Sequence, residues 1–212
     1  TSDNGAKNDE NWTLNGHKSN GNLRGEKATI YEAGHRVPFI ARWPGRIKPK
    51  SKSHETICLN DLMATCAAVL DVNIPKHQGI DSVDILPALV GENYSMPLRQ
   101  NTIHHSVSGM FAIRMGKWKF IDGVGDGFRP TNWKATQASG RDKPYWDAVQ
   151  QEFVPFVYAW PQPTPEPGQP PGQLYDLESD PLETNNLYFE YPQIVEQLKR
   201  QLEKEKEKPE TY

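Results

Sequence analysis

The sequence is short of apolar residues, of sulfur and of surplus charge. Hydrophobic side chains make up 36% of its 212 residues, against roughly 45–50% in an ordinary soluble domain, and mean hydropathy is −0.75. A chain of this length can bury roughly 70% of its unfolded surface. Length therefore suffices for a core, of one large domain or two small ones, and the apolar complement falls below it. No run of about 18 apolar residues occurs, which excludes a membrane-spanning helix. Lys and Arg number 24 and Asp and Glu 27, a net charge of −3 that argues against a general nucleic-acid binder. Only two cysteines are present, Cys58 and Cys66. They sit in an apolar helical pattern and read as buried, inert thiols that say little about compartment.

The residues present divide into two regimes. Residues 1–24 are polar and rich in Asn, Gly and Lys, hence loop. "EKATIYEAG" (26–34) predicts a short helix stopped by Gly34, and "VPFIARWPG" (37–45) a buried strand entered at Pro38 and left at a Pro44-Gly45 turn. From Asn60 to Asp71, Leu62, Met63, Cys66, Val69 and Leu70 recur at helical spacing, with Asn60 or Asp61 as N-cap. "GIDSVDILPALVGE" reads as a loop and a short helical turn.

Beyond about residue 102 the period becomes two. "MFAIRMGKWKFI" predicts a β-hairpin turning at Gly116-Lys117. Residues 123–173 read as a long insertion whose stretch from Pro155 to Gly172 carries seven of the 18 prolines, too many for regular structure. "QLYDLESD" returns to strand. Ile194, Val195, Leu198 and Leu202 form the apolar stripe of a final helix over 192–207, its other faces laced with Lys/Glu pairs. Two glycosylation sequons, at Asn11 and Asn93, are compatible with secretion and carry little weight. The expected class is therefore α/β. Residues 1–102 read as the last portion of an α/β core and 103–212 as a small antiparallel sheet with a helix.

Three stretches point to chemistry: "TSDNG" (1–5), "GHKSNGNLRGEKATIYEAGHRVPFIARWPG" (16–45) and "LYDLESDPLETNNL" (174–187). Together they resemble the C-terminal half of the type I, arylsulfatase-like sulfatases of the alkaline phosphatase superfamily. The likeness extends through "DLMATCAAVLDV" and "GIDSVDILPALVG" but not through the Pro-rich insertion. One departure is Ala33, where that family usually has Gly. The resemblance implies an alkaline-phosphatase-like α/β sandwich, followed by a small antiparallel subdomain, that hydrolyses sulfate esters with Ca²⁺.

On their own, Asp3-Asn4-Gly5 are turn residues. The resemblance makes Asp3 and Asn4 two oxygen ligands to Ca²⁺, a role that a carboxylate and an amide carbonyl suit. It likewise makes Lys27 the lysine that holds the sulfate and offsets charge on its oxygens, where the plain reading is a solvated helix-start lysine. His17 and His105 stand where loops of the family can face substrate, and a surface histidine is the alternative for each. His104 is a poorer candidate, because neighbours on a strand point to opposite faces. Arg24 and Arg36 read as structural ion-pair residues.

The same resemblance implies what is expected elsewhere. The family's nucleophile is a formylglycine made from a cysteine or serine in a Cys-x-Pro-Ser-Arg-like setting. Cys58 precedes Leu-Asn-Asp and Cys66 precedes Ala-Ala-Val, so neither fits. The nucleophile and the remaining metal ligands are expected in an N-terminal half of the same sulfatase, and this chain alone is expected to be inactive. A sulfated small molecule or glycan is the implied substrate, and a periplasmic, secreted or lysosomal setting the implied location. A non-catalytic sulfatase-like binding module and a related phosphate- or phosphonate-ester hydrolase are the competing readings.

Overall fold

A computed structural model describes residues 1–8, 15–75, 77–94, 97–128, 145–147, 152–154 and 163–208. The Asn11 sequon, the end of the Asn93 sequon at Ser95 and most of the expected insertion lie outside the described residues.

The elements are α1 (Glu32–His35), α2 (Asp61–Leu70), α3 (Leu86–Val90), β1 (Thr102–His105), β2 (Phe111–Met115), β3 (Trp118–Ile121), β4 (Tyr145–Asp147), β5 (Glu152–Val154), β6 (Gln173–Asp176) and α4 (Pro192–Lys206). β1, β2, β3 and β6 form one antiparallel sheet in that order, and β4 pairs with β5 separately. The expected hairpin is present, with Met115 opposite Trp118 and Gly116 at φ 56° in the turn, a conformation a side chain would strain. β6 closes the far edge, Trp118 facing Asp176 and Ile121 facing Gln173.

Both faces of this sheet are covered. On one, Val195, Leu198 and Leu202 of α4 meet Ile113, Phe120 and Leu174. Each such burial contributes roughly 1.5–3 kcal/mol. On the other, Ile30 and Tyr31 lie against Met110, Ala112, Ile121 and Tyr175. The segment that bears Lys27 is thus laid across the sheet.

Several expectations change. The helix expected over 26–34 is only Glu32–His35, because Ala28 at φ 81° lies far outside the right-handed helical region. Gly34 sits inside that helix rather than ending it. The stretch 37–45 pairs with no described strand, and Ile40 is 87% exposed. Without a neighbour its backbone has no ladder and its side chains no cover. The Pro44-Gly45 turn survives, Arg46 and Ile47 amides both donating to the Trp43 carbonyl.

α2 forms where expected, but its apolar side is open. Leu62, Met63, Val69 and Leu70 are exposed, Cys66 is exposed rather than buried, and Asp61 and Thr65 face inward. Asp61, fully buried, accepts from the amides of Cys58 and Val83 and is gripped by the Arg99 guanidinium. Neither Asn60 nor Asp61 caps α2 through its side chain in the ordinary way. Cys58 is half-buried and free; burial pushes its thiol up, the opposite of an activated nucleophile.

Candidate active site

Glycine chemistry brings the first residues to the site. The Gly5 amide donates to the Gly34 carbonyl at 3.0 Å. A Cβ on Gly5 would lie 1.6 Å from the Ala33 carbonyl oxygen, and one on Gly34 would lie 2.2 Å from that of Thr29. Only bare backbone lets these strands of chain approach so closely. Ala33 itself is fully buried in α1, so the extra methyl is accommodated there.

One residue further, the Ala6 carbonyl accepts from the Lys27 amide at 3.1 Å. Asn20 clamps the same peptide from the side, its carboxamide exchanging two bonds with Ala6 at 3.0 and 2.7 Å. The Asn8 amide donates to Glu26 at 2.7 Å. Asp3 and Asn4 are therefore held beside the Lys27 turn through backbone, which leaves their side chains for other work. Asp3 is exposed and, among the described residues, accepts a hydrogen bond from the Ser2 hydroxyl alone, at 3.4 Å. Lys27 is exposed, and its ammonium has no partner among the described residues.

The turn is pinned from below. Thr29 closes it by donating to the Glu26 carbonyl at 2.8 Å. Val107 donates to the Ala28 carbonyl at 2.9 Å, and the Ile30 amide to that of Asp126 at 2.8 Å. Ala28 keeps its left-handed backbone only because these bonds over-determine it. The end of β1 is thereby drawn to Lys27.

His105 lies in that end of β1, exposed, with Nδ1 2.9 Å from the Ser106 carbonyl. His104 points the other way, against His35, with ring centroids 4.1 Å apart and the planes tilted by 47°. The Nε2 atoms of both rings are buried without a hydrogen-bond partner among the described residues. Burial, reinforced by Lys119, holds His35 down to about 4 and His104 well below the usual range. His17 is exposed in the loop that carries Asn20.

Beneath the turn lies a charged cluster that periodicity did not reveal. Lys119, fully buried, reaches Glu32 at 3.2 Å and Glu183 at 2.8 Å, and Glu183 also accepts from the Glu32 amide at 2.7 Å. Arg24 packs over the Tyr31 ring and donates to Tyr175 and the Glu183 carbonyl. It is structural, as expected, but its partners are neutral oxygens rather than a carboxylate. Arg36 makes the expected ion pair, with Glu32, at 4.0 Å. A lysine in a strand buried on both faces was the available signal; its partners could not be read from spacing.

Asp3 and Asn4 are hard oxygen donors free to turn outward, and they fit a share of a Ca²⁺ site that needs six or more oxygens. No group of three or more His, Cys, Asp and Glu able to hold a metal occurs among the described residues.

The chain is similar to known proteins. Residues 1–72 match the Sulfatase family model. An N-acetylgalactosamine-6-O-sulfatase of Bacteroides thetaiotaomicron is 32% identical over 96% of this chain and 35% of its own length. Human arylsulfatase A is 36% identical over 56% of the chain and 23% of its own. A solved Bacteroides thetaiotaomicron protein, from a locus for the metabolism of multiple glycosaminoglycans, superposes with a TM-score of 0.64. It is 30% identical and covers 90% of this chain and 33% of its own. The chain is a sulfatase sequence, and it spans about a third of the length of the relatives it matches.

Proposed function

We propose that this chain supplies part of the active site of a formylglycine-dependent sulfatase acting on a sulfated carbohydrate. Asp3 and Asn4 give two Ca²⁺ ligands, and Lys27 the cation that meets the sulfate. The observation that carries this is the Ala6–Lys27 backbone bond at 3.1 Å, which ties the two ligand residues to the lysine through three residues of chain.

Asp3 and Asn4 would hold a share of the metal, which would supply polarisation of a sulfate oxygen, and a formylglycine outside these residues would supply the nucleophile. The chain's own residues orient and neutralise. The Lys27 ammonium offsets charge gathering on the sulfate oxygens, and the Asn20 clamp and Ala28 turn fix where that ammonium starts. His17 and His105 contact the sugar or the leaving oxygen. Cys58 and Cys66 take no part: one thiol is pushed up by burial, and both lie outside a maturation-like setting.

The formylglycine and the other metal ligands belong to sequence beyond these 212 residues, in an N-terminal half that packs on this one. The relatives' greater length and the open side of α2 support that reading. The boundary near residue 102 separates the portion completing the α/β core from the subdomain that backs it. A periplasmic or secreted location follows from the same reading, and no helix among the described residues is long and apolar enough to cross a membrane.

The test is sulfate release from N-acetylgalactosamine 6-sulfate by the complete protein, with and without chelator, beside the matching 6-phosphate. Chelator-sensitive sulfate release is expected. Preference for the phosphate ester would favour a phosphate-ester hydrolase, and binding without release a non-catalytic module. Sulfate release by the purified 212-residue chain alone would refute an external nucleophile.

A further inference from the structure

Residues 36–54 contain six Lys and Arg and no Asp or Glu, leaving 18 cationic against 27 acidic residues in the rest of the chain. Four of the six, Arg46, Lys48, Lys50 and Lys52, alternate along one exposed loop. None has an ion-pair partner among the described residues. Glu55, the nearest acid in sequence, accepts from the Leu98 amide and Tyr94 instead.

The loop is shaped rather than slack. The Trp43 carbonyl closes one turn, and the Lys48 carbonyl closes a second by accepting from the Ser51 amide and hydroxyl. Arg46 stands over the Trp43 ring, 5.1 Å from its centroid, a contact that restrains the guanidinium on this loop. Lys50 is left-handed, φ 61°, a position that glycine or asparagine fills without strain. A lysine kept there at a conformational cost points to a use for its charge.

We propose that Arg46, Lys48, Lys50 and Lys52 form a docking surface for a sulfated polysaccharide, holding sulfates of the polymer away from the unit being hydrolysed. The identity of the polymer rests on the sulfatase reading above; the cationic surface does not. Like charges at alternate positions complement a chain bearing a repeated anion, and neutralising them releases counterions from that chain. Four neutralised sulfates give a log–log salt slope of about −3, taking roughly 0.7 per charge as for a single-stranded polyanion.

The test uses the complete protein and soluble or immobilised chondroitin 6-sulfate. Substituting Arg46, Lys48 and Lys52 by Ser and Lys50 by Gly is expected to weaken binding by at least about tenfold and to flatten the salt slope. Lys50→Gly alone is expected to weaken binding while raising Tm, opposite signs that a purely structural lysine does not give. Lys199→Ser, on the exposed face of α4, is expected to bind as well as wild type. Unchanged binding by the fourfold variant, with its circular dichroism intact, would overturn the proposal. So would equal binding of unsulfated chondroitin, or of a single-stranded DNA of matched charge. Hydrolysis separates this proposal from the one it rests on: binding that survives with no sulfatase activity in the complete protein sinks only the active-site reading. Lost docking with turnover of a monosaccharide intact sinks only the surface.

Discussion

Gly5 and Gly34 meet backbone to backbone, the amide of the first 3.0 Å from the carbonyl of the second. Through this contact the Asp3-Asn4 pair abuts the helix that follows Lys27.

Gly5→Ala tests that contact. Its methyl would fall on the Ala33 carbonyl, so the two segments must part. Overpacking of this kind costs about 1–3 kcal/mol. Tm should fall accordingly, and Ca²⁺ affinity of the complete protein should fall with it. A Tm within 1 °C or so of wild type would show that the first residues do not dock as described.

Lys27→Ala addresses chemistry rather than packing. In the complete enzyme, loss of one preorganised donor should lower kcat by about 10²–10³ and leave Tm nearly unchanged, because the ammonium is solvated. Lys27→Arg should rescue only partly, since a planar guanidinium cannot occupy the same point. A kcat for Lys27→Ala near that of wild type would remove the residue from the site.

Lys119→Met leaves Glu32 and Glu183 buried without their shared cation. Breaking a buried pair from one side costs about 3–5 kcal/mol, read as a shift of the urea midpoint. Adding Glu183→Gln to Lys119→Met should recover part of that loss, because one uncompensated charge disappears. An additive double variant would mean that the two groups do not interact.

Acid should loosen the same face. His35 and His104 lie against one another, with Lys119, Glu32 and His105 around them. Their folded pKa values are depressed, so below the ordinary value of 6.5 the unfolded chain binds more protons than the folded one. Stability is complete above about 6.5 and falls as pH drops towards 4, by on the order of 2 kcal/mol. Urea midpoints at pH 7 and 4.5 measure it. Replacing both histidines by Gln should remove most of the difference; an undiminished difference would assign the effect to carboxylates.

The open side of α2 predicts association. Leu62, Met63, Val69 and Leu70 are all exposed, more apolar surface on one helix than a monomer usually leaves uncovered. Light scattering of the 212-residue chain should rise with concentration. Leu70→Glu should suppress that rise without lowering Tm, whereas Leu198→Ala, in the core, should cost about 2–5 kcal/mol. A chain monomeric at high concentration would contradict the exposure.

Local patterns were legible where the physics is local. Alternation from Met110 to Ile121 with Gly116 in the middle specifies a hairpin, and the stripe of Val195, Leu198 and Leu202 specifies a helix with one buried face. Asp3, Asn4 and Lys27 were singled out for a different reason: the family resemblance gives a pair of hard oxygens and a compact cation the roles proposed for them. The tertiary structure decided the rest. Helical propensity over residues 26–34 yields to the left-handed turn at Ala28, because bonds from Val107 and Ile30 outweigh a few tenths of a kcal/mol per residue. The stretch 37–45 has the composition of a strand, but a strand needs a neighbour, and composition cannot provide one. Lys119 looks like a misplaced surface residue until folding brings Glu32, 87 positions away, and Glu183 to either side of it. A buried charge is tolerable only with its partners in place, and which partners arrive is settled by the packing of Ile30 and Tyr31 on the sheet.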